Sequence, residues 1–324
     1  MKKKYFFSNK KIEFEERIKK LIPNEEDRRK FWEFCQKEAI DSIRCNTIKI
    51  SPEELKKRLI SYGWKIKQPF KDYSEIFIIE KETNLKPGEL GKTLEHVLGY
   101  YYVQDISSMM PPIAILPKEN ELLLDLCASP GSKTTQIAAM MKNKGTIIAN
   151  DLSIDRIMIL NANLEKCGVT NTLVTKKDAV QFCKVWSKKI KLKFDKILLD
   201  VPCSGEGTLR KSPHTLQIWN LNFIKSLSQQ QKKICASAIP LLKEKGTLVY
   251  STCTLTPEEN EEVVDFMLKN FNLEIEDFEI PMKTRPGITE WEGKKFDEKI
   301  KLCKRIYPQD NDSDGFFLAK LKKK

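Results

Sequence analysis

From Glu121 to Asn270 the chain repeats one rhythm: a short apolar run, a polar loop, then a helical stretch. Leu122-Leu123-Leu124-Asp125-Leu126 is a run of the kind that a strand buried on both faces requires. Thr146–Asn150, Thr172–Thr175, Phe194–Leu199 and Thr247–Ser251 repeat it. Helices are expected from about Lys133, over Ser153–Lys166 with Gly168 as the stop, over Asn222–Leu242 and over Pro257–Asn270. This alternation specifies an α/β fold built on a doubly wound parallel sheet. A late segment, Gly315–Leu321, is expected to add an antiparallel edge strand.

Ahead of Gly99 the pattern is mixed. Phe14–Leu21 and Glu25–Ala39 read as charged amphipathic helices, and Arg44–Ile50 alternates like a strand. Ser51-Pro52-Glu53-Glu54 opens a helix with an N-cap serine, a first-turn proline and a capping-box glutamate; Gly63 ends it. Trp64–Phe70 and Glu75–Glu80 read as two more strands. Residues 1–99 are therefore expected to form a small α+β unit and residues 100–324 the larger domain.

The net charge is +12. An excess of this size attracts polyanions, nucleic acid first, and its lysine-rich makeup favours phosphate contact over base reading. The basic start, Met1-Lys2-Lys3-Lys4, is followed by a charged helix rather than an apolar core, which argues against a secretory signal. No apolar run approaches the roughly 20 residues a membrane span needs, so a cytoplasmic location is expected. Nine cysteines without one Cys-x-x-Cys pair argue for reduced thiols and against a zinc site.

Ligands of open α/β sheets bind beyond the carboxyl ends of the strands. The first such loop is Cys127-Ala128-Ser129-Pro130-Gly131-Ser132-Lys133. Its spacing fits neither a dinucleotide fingerprint nor a nucleoside-triphosphate loop. A small-residue turn still lets a polar group approach N–H donors at a helix N-terminus. Asp151 ends the second strand, about 20 residues on, where an acid can accept both ribose hydroxyls of an adenosine. Asp178 ends the third strand, within reach of an adenine amino group, and Asp200 ends the fourth. An aspartate at any one of these ends could equally be a turn or cap former. Three in succession, with no phosphate cradle, fit an adenosine bearing a charged amino-acid tail: S-adenosylmethionine.

Two cysteines fall at neighbouring strand ends, Cys203 in Asp200-Val201-Pro202-Cys203-Ser204-Gly205 and Cys253 in Ser251-Thr252-Cys253-Thr254. Carbon 5 of cytosine is a poor nucleophile. A thiolate adding to carbon 6 makes it enamine-like and ready to accept a methyl group. Asp200 can assist at N3 if protonated, or accept from the exocyclic amine. The carbon 5 proton must then leave, and a second thiol can help it. The base must be single-stranded or flipped out. The residues alone leave open which thiol attacks.

With these motifs the chain resembles the NOL/NOP/Sun family of RNA cytosine-5 methyltransferases. The match includes Cys127–Thr134, Asn150-Asp151 with Arg156, Asp178, Asp200–Gly205 and Thr252-Cys253-Thr254. It extends to Arg44-Cys45-Asn46-Thr47, Tyr102–Asp105 through Ser107–Met109, Arg305–Pro308 and Asp314–Phe317. The resemblance implies a Rossmann-like, seven-stranded methyltransferase sheet behind an RNA-binding unit. It implies that Cys253 attacks and Cys203 serves release, the reverse of DNA cytosine methyltransferases, and that Lys133 lies near both methyl donor and base. Arg156 is expected at the cofactor end of its helix. The first forty-odd residues match no motif of the family, and no appended PUA-like module is expected. The compact form resembles the archaeal tRNA-methyltransferase type, so tRNA is favoured over rRNA, and a monomer without metal is expected. A non-catalytic RNA-binding or ribosome-assembly factor on the same fold is the competing reading. Retention of both cysteines and all three acids argues against it.

Overall fold

A computed structural model describes residues 9–83, 85 and 88–324. The basic start Met1–Lys4 lies outside the described residues.

The front unit contains α1 (Asn9–Leu21), α2 (Glu25–Gln36), β1 (Ser42–Cys45), α3 (Pro52–Ser61), β2 (Ile66–Lys67), β3 (Ile76–Ile79), α4 (Leu94–Val97) and β4 (Tyr101–Val103). Its sheet runs β2-β3-β1-β4, antiparallel throughout. Ser51 caps α3 as expected, its Oγ accepting from Glu54 N–H at 3.2 Å, a bond worth about 1 kcal/mol. The strand expected over Arg44–Ile50 stops at Cys45. Asn46 breaks it: its carbonyl accepts from Lys49 and Ile50 in a turn. Its Nδ2 donates to Gly99 O and Cys167 O, both at 2.8 Å. The strand expected over Trp64–Phe70 shortens to Ile66–Lys67, since Pro69 has no N–H for a ladder. The last strand of this sheet, β4, lies beyond Gly99, so a division at residue 99 cuts the front sheet short.

The larger domain continues with α5 (Met110–Ile115), β5 (Leu122–Asp125), α6 (Ser132–Met140), β6 (Thr146–Asp151), α7 (Ile154–Cys167), β7 (Thr172–Lys176), α8 (Ala179–Lys189) and β8 (Phe194–Asp200). Then come α9 (Thr215–Ile218), α10 (Leu221–Ala238), β9 (Leu242–Thr252), α11 (Glu261–Asn270), β10 (Leu273–Ile275), β11 (Arg285–Pro286), the hairpin β12 (Glu290–Trp291) and β13 (Lys294–Lys295), β14 (Lys304–Ile306), α12 (Pro308–Asn311) and β15 (Phe316–Lys323). The sheet order is β11-β14-β15-β9-β8-β5-β6-β7, with β10 also on β15. Strands β7, β6, β5, β8 and β9 are parallel, and the rest join antiparallel. Seven strands from β14 to β7 form the expected sheet, widened by the short β10 and β11.

Two elements differ from expectation. The late strand is not at an edge: β15 lies between β9 and β14. Phe317, Leu318, Ala319 and Leu321 are accordingly all fully buried. Helix α8 was not expected at all, yet a right-handed crossover from β7 to a parallel β8 needs one. Its apolar stripe, Phe182, Cys183 and Trp186, packs into the core, with the Trp186 ring 4.9 Å from Phe194.

Helices α1 and α2 do not cover the front sheet. Phe14, Ile18, Ile22 and Phe31 form one cluster with Leu209, Trp219, Leu255 and Tyr307 of the large domain. The N-terminal helices thus support the loops that follow β8 and β9. Among the described residues, no helix is long and apolar enough to cross a membrane.

Candidate active site

Strand order reverses at β5, which is flanked by β6 and β8, and a ligand crevice opens beyond such a switch point. The loop from Cys127 to Gly131 lies there. Gly131 has φ +100°, and a Cβ on it would meet Leu160 Cδ1 at 2.9 Å. Only glycine makes this turn at low cost. Ala128 N–H binds Asn150 O and Gly131 N–H binds Ala128 O. Asn163 Nδ2 holds Pro130 O at 2.8 Å. Helix α6 starts at Ser132, so its free first-turn N–H groups open toward the crevice.

Asp151 is buried and fully engaged. Its Oδ2 accepts from Ser129 N–H at 2.9 Å and from Arg156 Nη2 at 3.1 Å. Its Oδ1 accepts from Leu152 N–H at 2.8 Å and from Arg156 Nε at 2.7 Å. Arg156 also reaches Ser129 O at 2.8 Å, so it fastens the loop to the end of β6. Asp178 is exposed and spends one oxygen capping α8, accepting from Gln181 N–H at 3.0 Å. Cys127 sits amid the carboxylates of Asp125, Asp151 and Asp200. Burial first, then those charges, raise its thiol well above the usual range.

Lys133, the second residue of α6, is buried. Its Nζ lies 2.7 Å from Asp200 Oδ2, 3.0 Å from Ser108 Oγ and 5.4 Å from the centre of the Phe316 ring. Ser251 Oγ donates to Asp200 Oδ1 at 2.8 Å. An ammonium and a hydroxyl therefore both donate to Asp200, which is held as an acceptor. Asp200 ends β8, and Ser251 lies beside it in the register of β9. The same pairing carries both loops onward, and Cys203 Sγ and Cys253 Sγ stand 3.2 Å apart. Both thiols are half-buried. The hydrogen bond to Cys253, followed by burial, raises Cys203 well above the usual thiol range.

Glycine sets that approach. Gly207 N–H donates to Cys253 O at 2.9 Å, and Gly207 O accepts from Gly315 N–H at 2.9 Å. A Cβ on Gly207 would lie 2.1 Å from Gly315 O. Beside this contact Lys211 Nζ pairs with Asp105 Oδ2 at 2.5 Å and Asp314 Oδ2 at 2.9 Å. Three sequence-distant segments thus close around the two thiols.

Sequence reasoning left Asp125 out. Asp125 ends β5 and is buried: Oδ2 accepts from Thr134 Oγ1 at 2.7 Å, and Oδ1 has no partner. Burial pushes its carboxyl up to about 7. Its strand-end position was the available signal, the same one that marked Asp151. Arg44 is buried with its guanidinium on Gln104, Ser132 O and Thr135 of α6, which ties the front sheet to the helix bearing Lys133. Tyr101 and Tyr102 are buried at the junction, not free to stack on bases. His214 Nδ1 lies 2.6 Å from Gln217 Oε1 on the surface, and His96 packs on Tyr101. Among the described residues, no cluster of three or more His, Cys, Asp or Glu side chains is placed to hold a metal ion.

Residues 112–322 match the family described as 16S rRNA methyltransferase RsmB/F. Residues 11–106 match the N-terminal domain of 16S rRNA methyltransferase RsmF, so most of the first forty-odd residues do fall within a family pattern. The tRNA (cytosine(49)-C(5))-methyltransferase of Pyrococcus abyssi is 39% identical over 97% of this chain and 98% of its own. Ribosomal RNA small subunit methyltransferase F of Vibrio atlanticus is 38% identical over 96% of this chain but only 63% of its own. Among solved structures, a methyltransferase homolog from Pyrococcus horikoshii superposes with a TM-score of 0.83 at 34% identity, covering 98% of this chain and 96% of that one. NSun6 from Pyrococcus horikoshii with SFG gives 0.81 at 26% identity, covering 95% and 97%. The chain belongs to the RsmB/F methyltransferase family, the NOL/NOP/Sun group that its motifs resemble.

Proposed function

We propose that this protein is an S-adenosylmethionine-dependent RNA cytosine-5 methyltransferase that acts on tRNA through a covalent bond between Cys253 and the target base. The 3.2 Å approach of two thiols beside the Lys133–Asp200 pair carries this reading. A binding protein has no use for such an arrangement.

The crevice residues fit the cofactor. The small-residue loop leaves N–H groups of α6 free for its carboxylate. The unpartnered oxygen of buried Asp125 supplies an acceptor for its ammonium group. Asp151 is the acceptor for the ribose hydroxyls. Arg156 now fills two of its lone pairs, and its half-exposed side chain must give up those bonds for the ribose to bind. One oxygen of Asp178 remains for the adenine amine. S-adenosylmethionine, when bound, supplies an electrophilic methyl group.

Cys253 as thiolate adds to carbon 6 of cytosine, forming an S–C bond and moving the double-bond electrons toward carbon 5 and the ring carbonyl. Lys133 stabilises the charge that develops there. Asp200, held as an acceptor, takes a hydrogen bond from the exocyclic amine and so selects cytosine over uracil. Once Cys253 is bonded to carbon 6 it no longer holds the Cys203 proton, so after carbon 5 is methylated Cys203 gives that proton to water and takes the one on carbon 5. The C–H electron pair re-forms the double bond and expels Cys253.

The front unit, residues 1–99 with β4, supplies the RNA-docking surface. The Pyrococcus abyssi relative, matched over nearly its full length, favours tRNA. Names of the bacterial relatives favour rRNA as the second reading. Bisulfite sequencing of total RNA from cells with and without the gene separates them. A cytosine mark lost from tRNA supports the proposal; a mark lost only from small-subunit rRNA replaces the substrate, and no lost mark removes the activity.

A further inference from the structure

Each thiol is braced on both sides, and one dipeptide, Glu259-Asn260, contributes to both braces. Asn260 spans Cys253: its Oδ1 accepts from Thr252 Oγ1 at 2.5 Å and its Nδ2 donates to Thr254 O at 3.0 Å. Glu259 and Gln231 span Cys203. Gln231 Nε2 donates to Pro202 O at 2.9 Å and to Glu259 Oε2 at 2.8 Å. The same Glu259 oxygen accepts from Ser204 N–H at 3.1 Å. Tyr250 OH anchors the dipeptide by donating to Glu259 O at 2.5 Å. All three bracing side chains are fully buried.

Neither brace is what local structure alone would choose. Asn260 occupies the N-cap of α11, where asparagine normally accepts from the first turn, yet its side chain makes no cap bond. Glu259 is a buried carboxylate with one oxygen, Oε1, unpartnered. A helix cap is forgone and an acid is desolvated, and both side chains are turned toward residues that flank the two cysteines. Costs of this kind concentrate where geometry serves function.

We infer that Asn260 is a positioning residue for the attacking thiol and that Glu259, with Gln231, is a positioning residue for the releasing thiol. The inference rests on the roles given above to Cys253 and Cys203. Consecutive residues then control the first and last steps of one reaction.

The two steps can be read apart with full-length protein, S-adenosylmethionine, and transcripts of tRNA and small-subunit rRNA. Transcripts carrying 5-fluorocytidine cannot lose the carbon 5 substituent as a proton, so their covalent adduct reports attack and transfer without release. Ordinary transcripts report turnover. Asn260→Ala should slow fluorinated adduct formation as much as turnover, roughly tenfold to a hundredfold. Thr252→Val, which removes the donor to Asn260 and a long 3.5 Å contact from Thr254 N–H, should slow the same step. Glu259→Ala should form the fluorinated adduct within about twofold of wild type, while turnover falls roughly tenfold or more and adduct accumulates on ordinary RNA. Glu259→Gln keeps an acceptor for Ser204 N–H and should restore turnover. Two controls fix the thiols: Cys203→Ala must accumulate adduct on ordinary RNA, and Cys253→Ala must form none on fluorinated RNA. If these controls exchange, the thiol roles fall and this inference with them. If they hold but the Asn260 and Glu259 variants slow both steps alike, or neither, the inference alone is overturned.

Discussion

Gly207→Ala isolates the contact that fixes the two thiols. Gly207 does not have a left-handed backbone, so the substitution adds no φ strain and acts through space alone. The new Cβ would stand 2.1 Å from Gly315 O and 2.8 Å from Cys253 O, against a floor of 3.0 Å for real contacts. The obstructing atoms are backbone, so the loop segments carrying Gly207, Cys253 and Gly315 must part by about 1 Å. Both 2.9 Å bonds of Gly207, to Cys253 O and from Gly315 N–H, then lengthen beyond hydrogen-bonding range. Two buried bonds lost together cost about 2–4 kcal/mol. Displacing a reacting group by about 1 Å costs on the order of a hundredfold in rate. Gly205→Ala is the comparator: its φ is +74°, but its Cβ meets nothing closer than 3.6 Å. It should therefore lose about 1 kcal/mol to strain and keep the thiol approach. Thermal unfolding and single-turnover methyl transfer should show Gly207→Ala as the worse variant in both. Wild-type rate and melting point for Gly207→Ala, or a worse result for Gly205→Ala, would show that the glycine contact does not set the site.

Further outcomes follow from the same geometry. Lys133→Met should lower the methyl-transfer rate constant by roughly a hundredfold while the protein stays folded; a change within twofold would remove Lys133 from the chemistry. Asp125 is raised from 3.8 to about 7 in the folded chain. Its contribution to stability is thus present below pH 4 and lost as pH rises through 7. Asp125→Asn should flatten the fall in stability between pH 4 and 7, measured by urea unfolding, and an unchanged slope would contradict the raised carboxyl. The net charge of +12 implies phosphate-driven docking, so RNA affinity should fall steeply and linearly in log–log plots against salt. A flat dependence would assign binding to base contacts.

The sheet was legible because β5, β6 and β8 are mostly buried runs that end in Asp125, Asp151 and Asp200. That pattern follows from burial alone and marked Asp151, Asp200 and both cysteines. Helix α8 was missed because its polar positions mask the Phe182–Trp186 stripe until the crossover demands it. The placement of β15 was misjudged because an antiparallel strand covered on both faces has the same apolar run as any other. Long-range braces were invisible for a different reason. Glu259, Asn260 and Gln231 lie in charged or polar stretches that read as solvated helix surface, and only packing turns them inward. Asp178 shows the converse, for its capping bond to α8 was the bland alternative at that strand end.

The thiol roles themselves are open to one direct reading. Wild-type protein trapped on 5-fluorocytidine RNA in the presence of S-adenosylmethionine can be digested, and the modified peptide mapped by mass spectrometry. The nucleotide should be found on Cys253. Its recovery on Cys203 would exchange attack and release and overturn the mechanism.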